Sequence, residues 1–149
     1  MAGIELRSSA FNDHGPMPQR MAHASGNVSP PLAWSQPPDG TQELMLVCED
    51  PDAGQTPLLH WLVTGIDPGA GGVGEGQQPQ NGRARRNGFG DIGYGGPQPP
   101  VGDDPHRYFF RLYALPQPAR LPETPTAADV ARAAQSQLAS GVLVGTFAR

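Results

Sequence analysis

A chain of 149 residues with a formal net charge of −4 has room for one hydrophobic core and carries no basic footprint for nucleic acid or an anionic membrane surface. All ten basic residues are arginines, so chemistry that needs an amine (Schiff bases, lysine general bases, Walker-type phosphate lysines) is excluded. The single cysteine, Cys48, rules out an internal disulfide and, within "LMLVCE", reads as a buried packing residue.

The expectation is a single domain over 1–149. The 20 Gly and 18 Pro are concentrated between short apolar runs, which is how a loop-rich, mainly β domain punctuates its strands. In chain order, "GIELRS" alternates Ile4 and Leu6 against polar neighbours as a short half-buried strand, and "NDHGPMPQRMAHASGNVSPPLAW" reads as an ordered loop or extended arm. "TQELMLVCED" is a strand that runs into an acidic, proline-containing turn. "PLLHWLVTGI" is the next, and strict alternation puts Leu58, His60 and Leu62 on one face and Leu59, Trp61 and Val63 on the other.

Residues 65–102 hold thirteen of the twenty glycines and read as a long irregular connection with one short strand near "GVGEG". Connections of that length are usually functional or disordered. "HRYFFRLYAL" is the strongest strand pattern, with His106, Tyr108, Phe110, Leu112 and Ala114 on one face. "TAADVARAAQSQLASG" reads as a helix capped by Thr126 and Asp129, with Val130, Ala134 and Leu138 on one stripe and Gly141 ending it. "VLVGTF" is a closing strand. No run of 18 apolar residues exists and "MAGIELRSSAF" has no signal pattern, so a soluble, cytoplasmic protein is expected.

Several stretches carry candidate chemistry. "EDPDAG" offers three carboxylates in four residues but lacks the spacing of a calcium loop; an Asx-type turn and an aspartate that orients a histidine both remain open. His60 and His106 with Asp50 or Asp52 would make a two-histidine, one-carboxylate set, yet no metal-ligand spacing is present and no metal is expected. "GYGGPQPPVG" matches no nucleotide loop; its glycines permit close ligand approach and its prolines fix a wall, and a rigid turn with no ligand stays open beside that reading. "RARR", Arg83 to Arg86, reads as a solvated loop. Ser29 lacks a nucleophile elbow.

Taken in series, "GNVSPPLAW", "EDPDAG", "HWLVTGI" and "GYGGPQPPVGDDPHRYFFRLYAL" resemble the phosphatidylethanolamine-binding protein (PEBP) family, in particular its bacterial, YbhB/YbcL-type branch of Raf kinase inhibitor-like proteins. The resemblance covers nearly the whole chain. It implies a PEBP-like antiparallel β-sandwich with Greek-key connections and one short C-terminal helix. It also implies a small anion pocket at one end of the sandwich, walled by Asp50, His60, Gly95, Gly96, Pro99, Pro100, His106 and Tyr108. Relatives accept phosphate, acetate, cacodylate or phospholipid head groups there, and bacterial relatives suggest a homodimer. Gly54 stands where the family motif has proline, and Gln98 where bacterial relatives often have cysteine. Inhibition of a kinase does not carry over, because the surfaces responsible lie outside these motifs.

The mechanism expected from these residues has His60 and His106 donating ring N–H groups to an anion. Tyr108 adds a hydroxyl, amides near Gly95 add neutral donors, and Asp50 orients a histidine. A protein that binds a small anionic phospho-ligand, without cofactor, is favoured because no nucleophile is evident. The alternative is an enzyme in which His60, His106 and Asp50 perform acid–base chemistry on a small carbonyl or ester metabolite. A third reading is an interaction protein that uses the 65–102 loop.

Overall fold

The computed structural model describes residues 3–149; Met1 and Ala2, with which the single-domain assignment begins, lie outside the described residues. Nine strands form two sheets: β1 (Leu6–Arg7), β2 (Gly15–Pro16), β3 (Leu32–Trp34), β4 (Glu43–Asp50), β5 (Leu58–Ile66), β6 (Gly72–Val73), β7 (Arg83–Ala84), β8 (His106–Leu115) and β9 (Ala139–Phe147). The large sheet has the order β2-β9-β8-β4-β5-β7 and the small one β1-β3-β6. A hairpin joins β4 to β5, β8 and β9 pair antiparallel across a connection that carries the helix, and the connection from β5 returns across β4 to place β8 on its far side. That return is the Greek-key element. All pairings are antiparallel except the short β2–β9 pair, which is parallel, a departure from the purely antiparallel expectation.

β4 lies at the centre, and burial of both its faces explains its unbroken apolar run. Leu44, Leu46 and Cys48 face the small sheet and join Leu6, Leu32, Trp34, Phe110 and Leu112 in the main core. Met45 and Val47 face the other way and pack with Val130 and Ala134. Those two residues sit on and just after the one α-helix, α1 (Ala127–Ala133). The molecule is thus small sheet, large sheet and helix in three layers, with alternation along β4 supplying both interfaces.

Alternation fails in β5, and this corrects the expected faces. Trp61 pairs with Cys48 but Leu59 pairs with Glu49, so His60 is an extra residue opposite a single step of β4, a β-bulge. Leu59 therefore packs with Leu62 on the helix side, while Trp61 and Val63 fill the main core. A second irregularity spans Thr64–Gly65, where Leu44 pairs with Ile66 but Leu46 with Val63; Gly65 has φ +71°, which glycine adopts without strain.

The helix is shorter than its sequence pattern. The capping box forms, with Thr126 and Asp129 bonding reciprocally, but α1 ends at Ala133 and continues as a 3-10 turn to Ser136. The Leu138 N–H donates to the Ala114 carbonyl at 2.8 Å, so β8 captures this backbone and β9 starts at Ala139. Leu138 leaves the apolar stripe and is 37% exposed. Gly141 is a strand residue and not a helix cap: a Cβ there would lie 2.3 Å from the Ile4 carbonyl oxygen, where the N-terminal arm crosses β9. Arg83 and Ala84, expected in a solvated loop, form the edge strand on β5.

The turn after β4 is tied to the start of β8. Arg107 donates from its Nε to Asp52 Oδ2 at 3.0 Å, from NH2 to Oδ1 at 2.8 Å, and from its backbone N–H to Oδ2 at 2.9 Å. This fork lies on the face opposite His106, as β8 alternation requires. The Arg107 hydrogen bonds hold the Asp52 carboxyl down at about 2.

Two outcomes are expected. Gly141→Ala pushes a Cβ into backbone that no rotamer change relieves, so urea unfolding should register a loss of about 1–3 kcal/mol; an unchanged midpoint would show that the arm is not pinned there. For Asp52, the unfolded carboxyl titrates near about 3.9 and the folded one at about 2. Its contribution is therefore complete above the unfolded value and fades as pH falls through the folded one. With Asp52 and Arg107 both exposed, solvent screening keeps it below about 1 kcal/mol. The stability gap between wild type and Asp52→Asn should close on acidification; a gap that persists in acid would assign the residue to packing alone.

Candidate functional site

One end of the large sheet, on its core side, gathers the chemistry. Alternation along β4 brings Asp50 to the same face as Cys48, and alternation along β8 brings His106 and Tyr108 to that face as well. The bulge in β5 adds His60, whose ring meets the Tyr108 ring edge-on at 5.2 Å. These four side chains are all buried, Asp50 at 2% and His60 at 1% exposure. Above them opens a pocket of about 250 Å³ lined by Asp50, His60, His106, Pro99, Pro100 and Asp103, with Phe89 and Leu58 at its apolar side.

Asp50 divides its two oxygens. Oδ1 accepts the Asp52 backbone N–H at 2.7 Å and so shapes the Asx-type turn around Pro51. Oδ2 accepts from His106 Nδ1 at 2.6 Å. Both readings of the acidic turn are therefore realised by one residue, and the histidine that Asp50 orients is His106. The other ring nitrogen of His106, Nε2, meets Asp103 Oδ2 at 3.0 Å. Carboxylates at both poles suit the doubly protonated ring, because a neutral ring would turn a lone pair on one of them. Burial works against that charge, but the hydrogen bonds from Asp50 and Asp103 outweigh it and raise the His106 pKa above the ordinary histidine value.

His60 is the electrostatic opposite. Its Nδ1–H donates to the Gly95 carbonyl at 2.6 Å, and the Gly95 N–H returns a bond to the His60 carbonyl at 2.8 Å. The two residues thereby fix ring plane and tautomer together. Burial pushes the His60 pKa down, so the ring is neutral and its Nε2, which has no partner, is an acceptor. The His60 Nδ1–H that was expected to serve a ligand is committed to the Gly95 carbonyl, while the two rings have their pKa values shifted in opposite directions.

The expected amide donors are also corrected. The Gly95 N–H is spent on His60, and the Gly96 N–H on Asn27 Oδ1 at 2.7 Å. Both glycines stand behind the pocket as spacers; a Cβ on Gly96 would lie 2.0 Å from the Met21 carbonyl oxygen. Pro99 and Pro100 do form wall, and the Arg149 side chain steadies them by donating to the Pro99 carbonyl at 2.6 Å. Tyr108 is fully buried beneath the site, its hydroxyl unpartnered, and burial drives its pKa up. Cys48 is a packing residue, with its thiol pKa raised by burial. No group of histidine, cysteine and carboxylates suited to a metal ion is present among the described residues.

Sequence reasoning missed several residues of the pocket lining, Asp103 and Phe89 among them. Asp103 had a local signal: it closes the turn Pro100–Asp103, with its N–H bonded to the Pro100 carbonyl at 3.2 Å and Gly102 at φ +93°, three residues before His106. Phe89 had none, because it comes from the far side of the long connection and reaches the pocket only through tertiary packing against His60 and His23.

Among the described residues no helix is long and apolar enough to cross a membrane. Comparison with known proteins matches residues 7–148 to the family model described as phosphatidylethanolamine-binding protein. The Mycobacterium tuberculosis protein named "Putative lipoprotein LppC" is 43% identical over 145 residues, covering 97% of this chain and 72% of that one. A UPF0098 protein of Methanothermobacter thermautotrophicus is 38% identical, covering 98% of this chain and 99% of its own. Among solved structures, CT736 of Chlamydia trachomatis superposes with a TM-score of 0.86 at 31% identity, covering 100% of this chain and 99% of that one. Escherichia coli YbcL, described as a member of the mammalian PEBP family, gives 0.89 at 25% identity with 99% of each chain covered. With its two sheets, single short helix and nearly full-length match, the chain belongs to the phosphatidylethanolamine-binding protein family.

Proposed function

We propose that the pocket binds a small proton-bearing oxyanion, a phosphate or phosphate-ester head group, and holds it without a covalent step. The observation that carries this reading is the opposed state of the two histidines. An imidazolium held by Asp50 supplies charge-assisted donation, and a neutral, buried His60 Nε2 supplies an acceptor for the ligand's own hydroxyl. A monoanionic phosphate offers both partners at once. Arg107 takes no part, being turned to the other face and paired with Asp52. The pocket lining holds no serine, threonine, cysteine or lysine, which favours binding over nucleophilic catalysis.

An acid–base enzyme acting on a small carbonyl or ester metabolite is the second reading. It is favoured by the same pair, since His60, whose Nε2 has no partner, lines the same pocket as His106 and would serve as base opposite an acidic imidazolium. Turnover of a small ester that His60→Gln abolishes and phosphate inhibits would select it.

Titration of inorganic phosphate into wild type and His106→Ala is the direct test. Loss of the charged donor is expected to weaken binding by roughly ten-fold or more; equal binding by both proteins would overturn the assignment. The pH dependence follows from the two shifts. His106 holds its proton to higher pH than an ordinary histidine of about 6.5, so binding is present below that value and lost as pH rises through the raised pKa. Nitrogen-detected NMR of the histidine rings should find His60 neutral where His106 is still charged; the reverse order would sink the division of roles.

A further inference from the structure

The carboxylate of Asp103 sits where the proposed ligand would place its oxygen. His106 has two poles: Nδ1 is committed to the buried Asp50, and Nε2 is the one left for the pocket, yet Asp103 Oδ2 already occupies it at 3.0 Å. Asp103 itself lines the pocket, and its side chain is 48% exposed. We propose that Asp103 is a tethered surrogate anion on His106 Nε2, so that an incoming oxyanion binds by displacing it. This rests on the oxyanion reading above and adds to it a residue that sets affinity.

The surroundings allow such an exchange. Among the described residues, the Asp103 carboxylate meets no donor other than His106. Its backbone is held on both sides: the Asp103 N–H bonds to the Pro100 carbonyl, the Gly102 N–H to the Arg149 carbonyl at 3.3 Å, and the Arg149 Nε to the Pro99 carbonyl. Displacement therefore needs a side-chain rotation into solvent and no rearrangement of the loop. With Asp103 in place the site is also incompletely satisfied. His60 Nε2, 1% exposed as a residue and part of the same pocket wall, keeps an unanswered lone pair. A carboxylate brings no proton for it, whereas a phosphate monoanion does, so the right ligand gains a contact that the surrogate lacks.

A tethered competitor present at fixed effective concentration reduces the affinity of every ligand by the same factor, the inverse of the fraction of molecules with the position free. Two unlike oxyanions give the test. Phosphate and acetate are titrated into wild type, Asp103→Ala and Asp103→Glu, with His106 ring signals read by NMR. The expected result is a gain of roughly ten-fold for both anions in Asp103→Ala, a smaller gain or none in Asp103→Glu, and thermal stability close to wild type. Equal or weaker phosphate binding by Asp103→Ala overturns the surrogate role and leaves the pocket assignment standing. Absence of phosphate binding in both wild type and Asp103→Ala overturns the two together. A gain for one anion alone also counts against displacement, because it would mark a direct contact and not a shared competitor.

Discussion

A carboxylate at 2% exposure is tolerable only when its charge and lone pairs are answered, and in this protein Asp50 is answered by His106 and by the Asp52 amide. Removal of either partner would leave a buried charge uncompensated, which costs several kcal/mol in proteins of ordinary stability. This one pair therefore fixes how the end of β4 meets the start of β8. It also favours the charged form of the adjoining histidine and leaves the remaining nitrogen of that ring on the pocket side. On the other face of the same two segments, Asp52 and Arg107 repeat the connection in solvent, where it has little energetic weight and a mainly geometric role.

The bulge at His60 supplies the second half of the site. In a regular strand, a histidine between Leu59 and Trp61 would have to project from the face opposite both of them. One extra residue lets His60 and Trp61 serve the same side, and a two-bond ring with Gly95 then sets the imidazole tautomer. Two histidines of identical chemistry thus have their pKa values moved in opposite directions within one pocket. Carboxylates surround His106, while His60 is surrounded by apolar rings and a carbonyl.

The long 65–102 connection, the richest in glycine, works as scaffold for this arrangement more than as a free loop. It gives the two-residue strands β6 and β7 to different sheets, so its middle is stitched across the molecule. Its end delivers Gly95, Gly96 and the proline wall. Gly95 and Gly96 matter because backbone passes backbone or a ring there at distances a Cβ would fill: Phe89 carbon at 2.6 Å for Gly95, and Met21 oxygen at 2.0 Å for Gly96. The closeness that glycine permits is spent on packing the pocket's rear, and the ligand space lies in front of it.

The chain's own letters determined a great deal. The alternation of "HRYFFRLYAL" placed five side chains correctly on one face, the apolar run of "ELMLVC" marked a strand, and the ordered series of short motifs identified the family and its fold. Asp50, His60, His106 and the two prolines, which the family resemblance had named, line one cavity. Register, reach and electrostatics were not legible. The bulge that relocates Leu59, the β8 carbonyl that ends the helix early, the pairing of both glycine amides, and the arrival of Asp103 and Phe89 all depend on which segments meet in space. Local spacing encodes which way a residue points within its own strand; only the folded chain decides what stands opposite it, and hence in which direction each histidine pKa is moved.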